Sequence, residues 1–178
     1  VNLKEVLDDP SLCDSICLSE LQRAGLDNGH SNDCLNQAIK ACAQTETETK
    51  TQKDITHLPF ISIDGPSSTD LDDIVYLTEE DKNGYSTLYV AISDVSRFVL
   101  PGSEMDCFAR KQGVTIYSPG AVKPMLPPLI SNDQCSLIPG PVKNVMVAEM
   151  KVLDGHVVSY LIYEATARSS HRFTYQRV

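Results

Sequence analysis

Phe60-Ile61-Ser62-Ile63-Asp64-Gly65-Pro66-Ser67-Ser68-Thr69-Asp70-Leu71-Asp72-Asp73-Ile74-Val75-Tyr76-Leu77 is the stretch that decides how this chain reads. The β-branched and aromatic runs at its two ends predict strands over Phe60–Ile63 and Ile74–Leu77. Between them Gly65-Pro66 forces a tight excursion, and four carboxylates (Asp64, Asp70, Asp72, Asp73) crowd together. Like charges so close repel, and each loses solvation as the fold closes around it. One or two hard divalent cations, which prefer carboxylate oxygens, would relieve that repulsion. In an extended backbone Asp70 and Asp72 share a face while Leu71 and Asp73 point the other way. If the segment curls, all four carboxylates surround one cavity with Leu71 anchored in the core.

Spacing alone leaves two readings. Three or four bridging carboxylates suit a pair of metals about 4 Å apart that activate a water and stabilise a leaving oxygen in phosphodiester cleavage. A surface loop whose aspartates form turns and caps fits the same residues. A calcium loop of the EF-hand type does not, because the central Gly and terminal Glu are missing at the required offsets. Asp94 ends the predicted strand Leu88–Ser93 and is either a fifth carboxylate behind the others or a turn residue.

Working outward, Asp81-Lys82-Asn83-Gly84 supplies a turn, and Leu88–Ser93 is apolar enough for a central strand. Ser103 caps a helix that runs to Gln112 and closes at Gly113. Residues 119–141 hold most of the ten prolines, predicting an extended segment that crosses the surface or lines a groove. Val145–Leu153 and His156–Tyr163, joined by Asp154-Gly155, read as a hairpin. Upstream, short helices are predicted from near Ser15 to Gly25 and from Ser31–Asp33 through Leu35, Ile39 and Cys42. The tract Thr45–Thr51 reads as a solvated linker. The expected organisation is a helical segment over 1–52 and a catalytic portion over 53–178. The expected fold is α+β, with a mixed or mainly antiparallel sheet and flanking helices.

The 178 residues suit one ordinary domain, and a net charge of -9 argues against gripping nucleic acid by unspecific electrostatics. A nucleic-acid enzyme is not excluded, since cations offset carboxylates and other domains can hold a polymer. No leader and no membrane-length apolar run is seen, so a cytoplasmic location without membrane contact is expected. Six cysteines at irregular spacing, with no CxxC pair, fit reduced thiols better than disulfides. A zinc site from Cys13, Cys17, His30, Cys34 and Cys42 fits less well still. Ending at Val178 directly after Phe173-Thr174-Tyr175, the chain reads as cut from something longer.

Ile63-Asp64-Gly65-Pro66 leading to Asp70-Leu71-Asp72-Asp73 resembles the catalytic signature of the ribonuclease II / ribonuclease R family, the RNB-domain exoribonucleases. Four further blocks resemble that family in order: Tyr89–Ser96, Pro101-Gly102-Ser103, Pro124-Met125-Leu126-Pro127 and Ser131–Leu137. Leu3–Pro10 is similar to the segment entering its catalytic domain. The resemblance implies processive 3′→5′ hydrolysis of single-stranded RNA to nucleoside 5′-monophosphates with Mg²⁺, Mn²⁺ being a substitute. It implies metal-holding roles for Asp64, Asp70 and Asp73, the chemical step for Asp72, and RNA contacts for Tyr117 and Tyr175. Base stacking on an aromatic ring is tolerant of sequence, which suits both tyrosines; ordinary rim or core tyrosines fit them as well. It also implies upstream cold-shock domains, a downstream S1 domain, and an arginine and a glutamate for the scissile phosphate. Arg168, Arg172 and Arg177 match no such motif. The N-terminal half of an RNB catalytic domain should leave apolar surface uncovered and, alone, little or no activity. A metal- or RNA-binding module without hydrolysis, or a structural protein keeping the fold, are the alternatives.

Overall fold

Residues 10–25, 29–45, 53–118 and 121–178 are described by a computed structural model. Most of the Leu3–Pro10 and Thr45–Thr51 segments lies outside these residues. Helices α1 (Pro10–Arg23) and α2 (Asn32–Thr45) come first. Strands β1 (Lys53–Asp54), β2 (Phe60–Asp64), β3 (Asp73–Leu77) and β4 (Tyr85–Ser93) follow, then α3 (Glu104–Gln112). A short hairpin β5 (Ile116–Ser118) and β6 (Ala121–Lys123) precedes the long strands β7 (Val142–Leu153) and β8 (His156–Thr174).

Helix boundaries follow local chemistry. Ser103 accepts the Asp106 N–H at 3.2 Å at the start of α3, and Gly113, at φ 79°, closes it. Ser31 does the same for α2 through the Cys34 N–H at 3.1 Å. The proline-rich segment is less extended than its composition predicts. It contains a π-helical turn, Leu129–Gln134, entered through Pro127 and Pro128, where a missing N–H costs nothing. Ile130, fully buried, anchors that turn.

The strands form an α+β fold in which β4 is central, between β3 and β7. Neighbours β2–β3–β4–β7–β8 run antiparallel, whereas β1 and β2 join β8 in parallel. Because β8 pairs with β7 along its first part and with β2 along its last, the sheet closes on itself. A ring of so few strands has a narrow interior. The interior residues accordingly include Ala91, Ala165 and Ala167 beside Phe60, Ile74, Val145 and Val147. A second core joins Cys34 and Ala38 of α2 to Met105 of α3, Phe98, Ile130 and Cys135.

The outer face of the ring is apolar and open. Register aligns Leu77, Leu88, Met150 and Tyr160 in one row and Val75, Val90, Ala148 and Ile162 in the next. Tyr160 and Ile162 are 68% and 64% exposed, so the far end of this face meets solvent. Among the described residues no helix is long and apolar enough to cross a membrane.

Candidate active site

The four aspartates converge on one rim of the ring by separate routes. Asp64 is the last residue of β2 and continues the inward parity of Phe60 and Ser62, so it stands over the barrel end. Asp73 opens β3 opposite Ile92. Asp72 is tied to the end of β4, because its carbonyl accepts the Ser93 N–H at 3.0 Å. Asp70 and Asp72 line a common cavity while Leu71 between them is fully buried, the alternation expected for an extended backbone.

Buried groups distant in sequence pin this loop. The Leu71 N–H donates to Ser136 Oγ at 3.1 Å, and Ser136 Oγ donates to the Thr69 carbonyl at 2.8 Å. The Leu137 N–H donates to the Leu71 carbonyl at 2.8 Å. Ser136 and Leu71 are both wholly buried, so the loop's middle is bolted to the core while its carboxylates stay outside. Asp94 takes the turn role: it is buried, ion-pairs with Arg97 at 3.0 Å and accepts from Ser96 at 2.6 Å. Arg97 reaches on to Glu164 of β8 at 3.3 Å.

Electrostatics register the crowding. Desolvation, then Asp73 and Asp70, push the Asp64 carboxyl above the usual range, with Arg172 opposing. Asp72 is solvent-accessible at its surface, yet the protein mass around it raises its pKa most, followed by Asp70, Asp73 and Asp64. Among the described residues no three carboxylate, imidazole or thiol groups close into a finished metal cage. The donor set nonetheless suits a hard divalent ion: four carboxylates within electrostatic reach, two of them raised by desolvation and then by the others.

From this rim a groove runs outward. One cavity of about 370 Å³ carries Asp70, Asp72, Ile92, Thr115 and Ser131 on its walls. A second of about 560 Å³ shares Asp70, Thr115 and Ser131 and extends to Tyr117, Pro128 and Asn132. The proline-rich segment thus lines a groove. Tyr117, on β5, is 64% exposed, and its hydroxyl donates to Asp70; that bond and burial push the phenol up to about 12. Tyr175 is 69% exposed and directly follows Thr174, the register partner of Asp64. Sequence reading missed Ser136 as an anchor and Arg172, whose Nη2 donates to the Gly65 carbonyl at 2.7 Å. Cys135, beside these anchors, is a buried thiol raised to about 11 by desolvation, an inert packing group.

A family model described as RNB domain matches residues 52–178. Ribonuclease R of Escherichia coli is 43% identical over 126 residues, which is 70% of this chain and 15% of that protein. Ribonuclease R of Mycoplasma genitalium is 37% identical over the whole chain and 25% of its own length. The solved apo form of the latter superposes with a TM-score of 0.75, at 34% identity, over 95% of this chain and 26% of that one. Yeast Ssd1, described as a pseudonuclease, shares the fold at 19% identity and a TM-score of 0.63, over 71% of this chain and 16% of that one. The chain therefore spans about a quarter or less of each of these proteins.

Proposed function

The chain belongs to the RNB-domain family, and on that premise we propose that it forms the acidic wall of a hydrolytic exoribonuclease. The enzyme would degrade single-stranded RNA processively from the 3′ end and release nucleoside 5′-monophosphates. The observation that carries the reading is the coincidence of four carboxylates on one rim with a groove leading from them past the exposed ring of Tyr117.

Asp64, Asp70 and Asp73 would hold Mg²⁺, with Mn²⁺ as a substitute, and Asp72 would serve the chemical step. Bound there, the ions supply a water of lowered pKa and charge stabilisation for the leaving oxygen. The residues of this chain do the positioning. Leu71 and Ser136 hold the loop so that Asp70 and Asp72 face the groove. Tyr117 and Tyr175 offer sequence-tolerant stacking surfaces for bases near the 3′ end, each worth about 1–3 kcal/mol. A net charge of -9 leaves the polymer to be gripped elsewhere. That grip is assigned to cold-shock domains upstream and an S1 domain downstream in the same cytoplasmic protein. The arginine and glutamate for the scissile phosphate belong to residues outside this chain, which alone should be inactive or weakly active.

The test is degradation of 3′-labelled single-stranded RNA by the intact parent protein with Mg²⁺. Asp72→Asn should abolish mononucleotide release while leaving RNA binding in place. Unchanged degradation by that variant refutes the assignment of the chemical step to Asp72, and no degradation by the unaltered parent favours a binding or structural role for the fold.

A further inference from the structure

Arg172 lies 107 residues from Gly65 in sequence, yet its guanidinium is fastened to the turn that opens the acidic run. β8 delivers it there: Arg172 is the register partner of Ser62, two residues before Asp64. Its Nη2 donates to the Gly65 carbonyl at 2.7 Å and the Pro66 carbonyl at 3.3 Å. The Gly65 carbonyl also accepts the Ser68 N–H at 3.2 Å, which closes the turn 65–68. The winding is tight, since a Cβ at Gly65 would come within 3.3 Å of Ser68 Oγ. Guanidinium bonds to carbonyls are charge-assisted and about twice as strong as neutral ones.

This turn links Asp64 to Asp70. Asp72 and Asp73 are held independently, by the Ser93 N–H and by register with Ile92. Asp64 is also set by register with Thr174, and Asp70 stands between Thr69 and Leu71, both bonded to Ser136. The turn carries the chain between those two anchors, so how it is held contributes to the spacing of the first pair and to its placement against the second. We propose that Arg172 is a positioning residue for the acidic wall, fixing the Gly65-Pro66 turn and with it the placement of Asp64 and Asp70 against Asp72 and Asp73. The proposal rests on the metal-binding reading above.

Two consequences of removing Arg172 have opposite signs. Its positive charge opposes a bound cation, so losing the charge alone would tighten metal binding. Its hold on the turn favours the cation, so losing the hold would weaken binding. A lysine keeps the charge but is a point donor without the guanidinium plane.

The experiment titrates Mn²⁺ into the 178-residue chain by calorimetry, comparing it with Arg172→Met and Arg172→Lys, and follows exchange of the Ser68 amide. Positioning predicts Mn²⁺ binding weakened roughly 10- to 100-fold in Arg172→Met, the range for groups that orient metal ligands, and an intermediate loss in Arg172→Lys. It also predicts faster Ser68 exchange in Arg172→Met with no metal added. Mn²⁺ binding by Arg172→Met as tight as, or tighter than, that of the unaltered chain overturns the proposal. So does a lowered melting temperature with Ser68 exchange and Mn²⁺ affinity both unchanged, which is a structural role only. If Arg172→Met does not fold, Arg172→Lys decides, full affinity and unchanged exchange overturning the role. If the unaltered chain takes up no Mn²⁺, the metal reading fails by itself; the Ser68 exchange still decides Arg172, faster exchange supporting it and unchanged exchange overturning it.

Discussion

Ser136→Ala removes one oxygen from the protein and should cost more than that change suggests. Ser136 Oγ accepts from the Leu71 N–H at 3.1 Å and donates to the Thr69 carbonyl at 2.8 Å, and Ser136 is wholly buried. Leu71 is also wholly buried, so its N–H would face no replacement partner, a loss of about 1–3 kcal/mol. Thr69 is exposed, and water can take over at its carbonyl, so that bond contributes only about 0.5–1.5 kcal/mol. Together the substitution should destabilise the fold by about 2–4 kcal/mol. For a chain of 178 residues that lowers the melting temperature by about 5–15 °C. Urea titration followed by circular dichroism measures it, with Ser170→Ala on the exposed side of β8 as a control expected within about 0.5 kcal/mol. A Ser136→Ala loss no larger than that of the control would refute the claim that the loop is held from below.

Asp72→Asn should raise the melting temperature at neutral pH in the presence of chelator. A carboxyl whose folded pKa is raised opposes folding once ionised, and the opposition fades as pH falls through that pKa, so the gain should shrink on acidification. A loss of stability at neutral pH would contradict the crowding. Glu149 is the opposite case: Tyr163, donating at 2.6 Å, and then Lys53 hold its carboxyl below the usual carboxylate range. That stabilisation is present above the unfolded pKa and lost as pH falls through the folded one. Tyr163→Phe should therefore lower the melting temperature near pH 7 and by less near pH 3; an equal loss at both would sink the assignment. The open outer face should make the isolated chain self-associate. The double substitution of Tyr160 and Ile162 to Lys should shift it toward monomer in light scattering, and an unchanged mass would place the contact elsewhere.

The strands around the acidic run, the caps at Ser103 and Gly113, and the hairpin at Asp154-Gly155 were legible because their signals are local. The closure of the ring was not. It depends on β8 continuing past Tyr163, where the inward positions are Ala165, Ala167 and Ser169. Small residues are what a narrow interior requires, but in sequence they lack the apolar alternation that marks a strand. Asp94 carried a partial signal, since Arg97 stands three residues on and the two pair within one turn. Ser136 and Arg172 carried none, because their partners lie 65 and 107 residues away and no local pattern links them.

How the acidic wall is fastened bears on what it can do. Anchoring a carboxylate cluster with lysines or arginines on the carboxylates themselves would neutralise it, and a cation arriving later would gain little. Here the anchors are the buried side chain of Leu71, the hydroxyl of Ser136 and the main chain of Leu137 and Ser93. The one guanidinium shown bonded to the turn grips carbonyls, not carboxylates, and only moderates the rise at Asp64. Holding the backbone with neutral groups leaves the charge on the side chains. A loop needed only for its shape would be more stable with its charges paired, as is the buried Asp94–Arg97 pair that directly follows Ser93, the residue bonded to Asp72. The contrast between those two ways of treating an aspartate, on the same edge of the same sheet, is the physical ground for assigning to a cation the four that have no ion pair among the described residues.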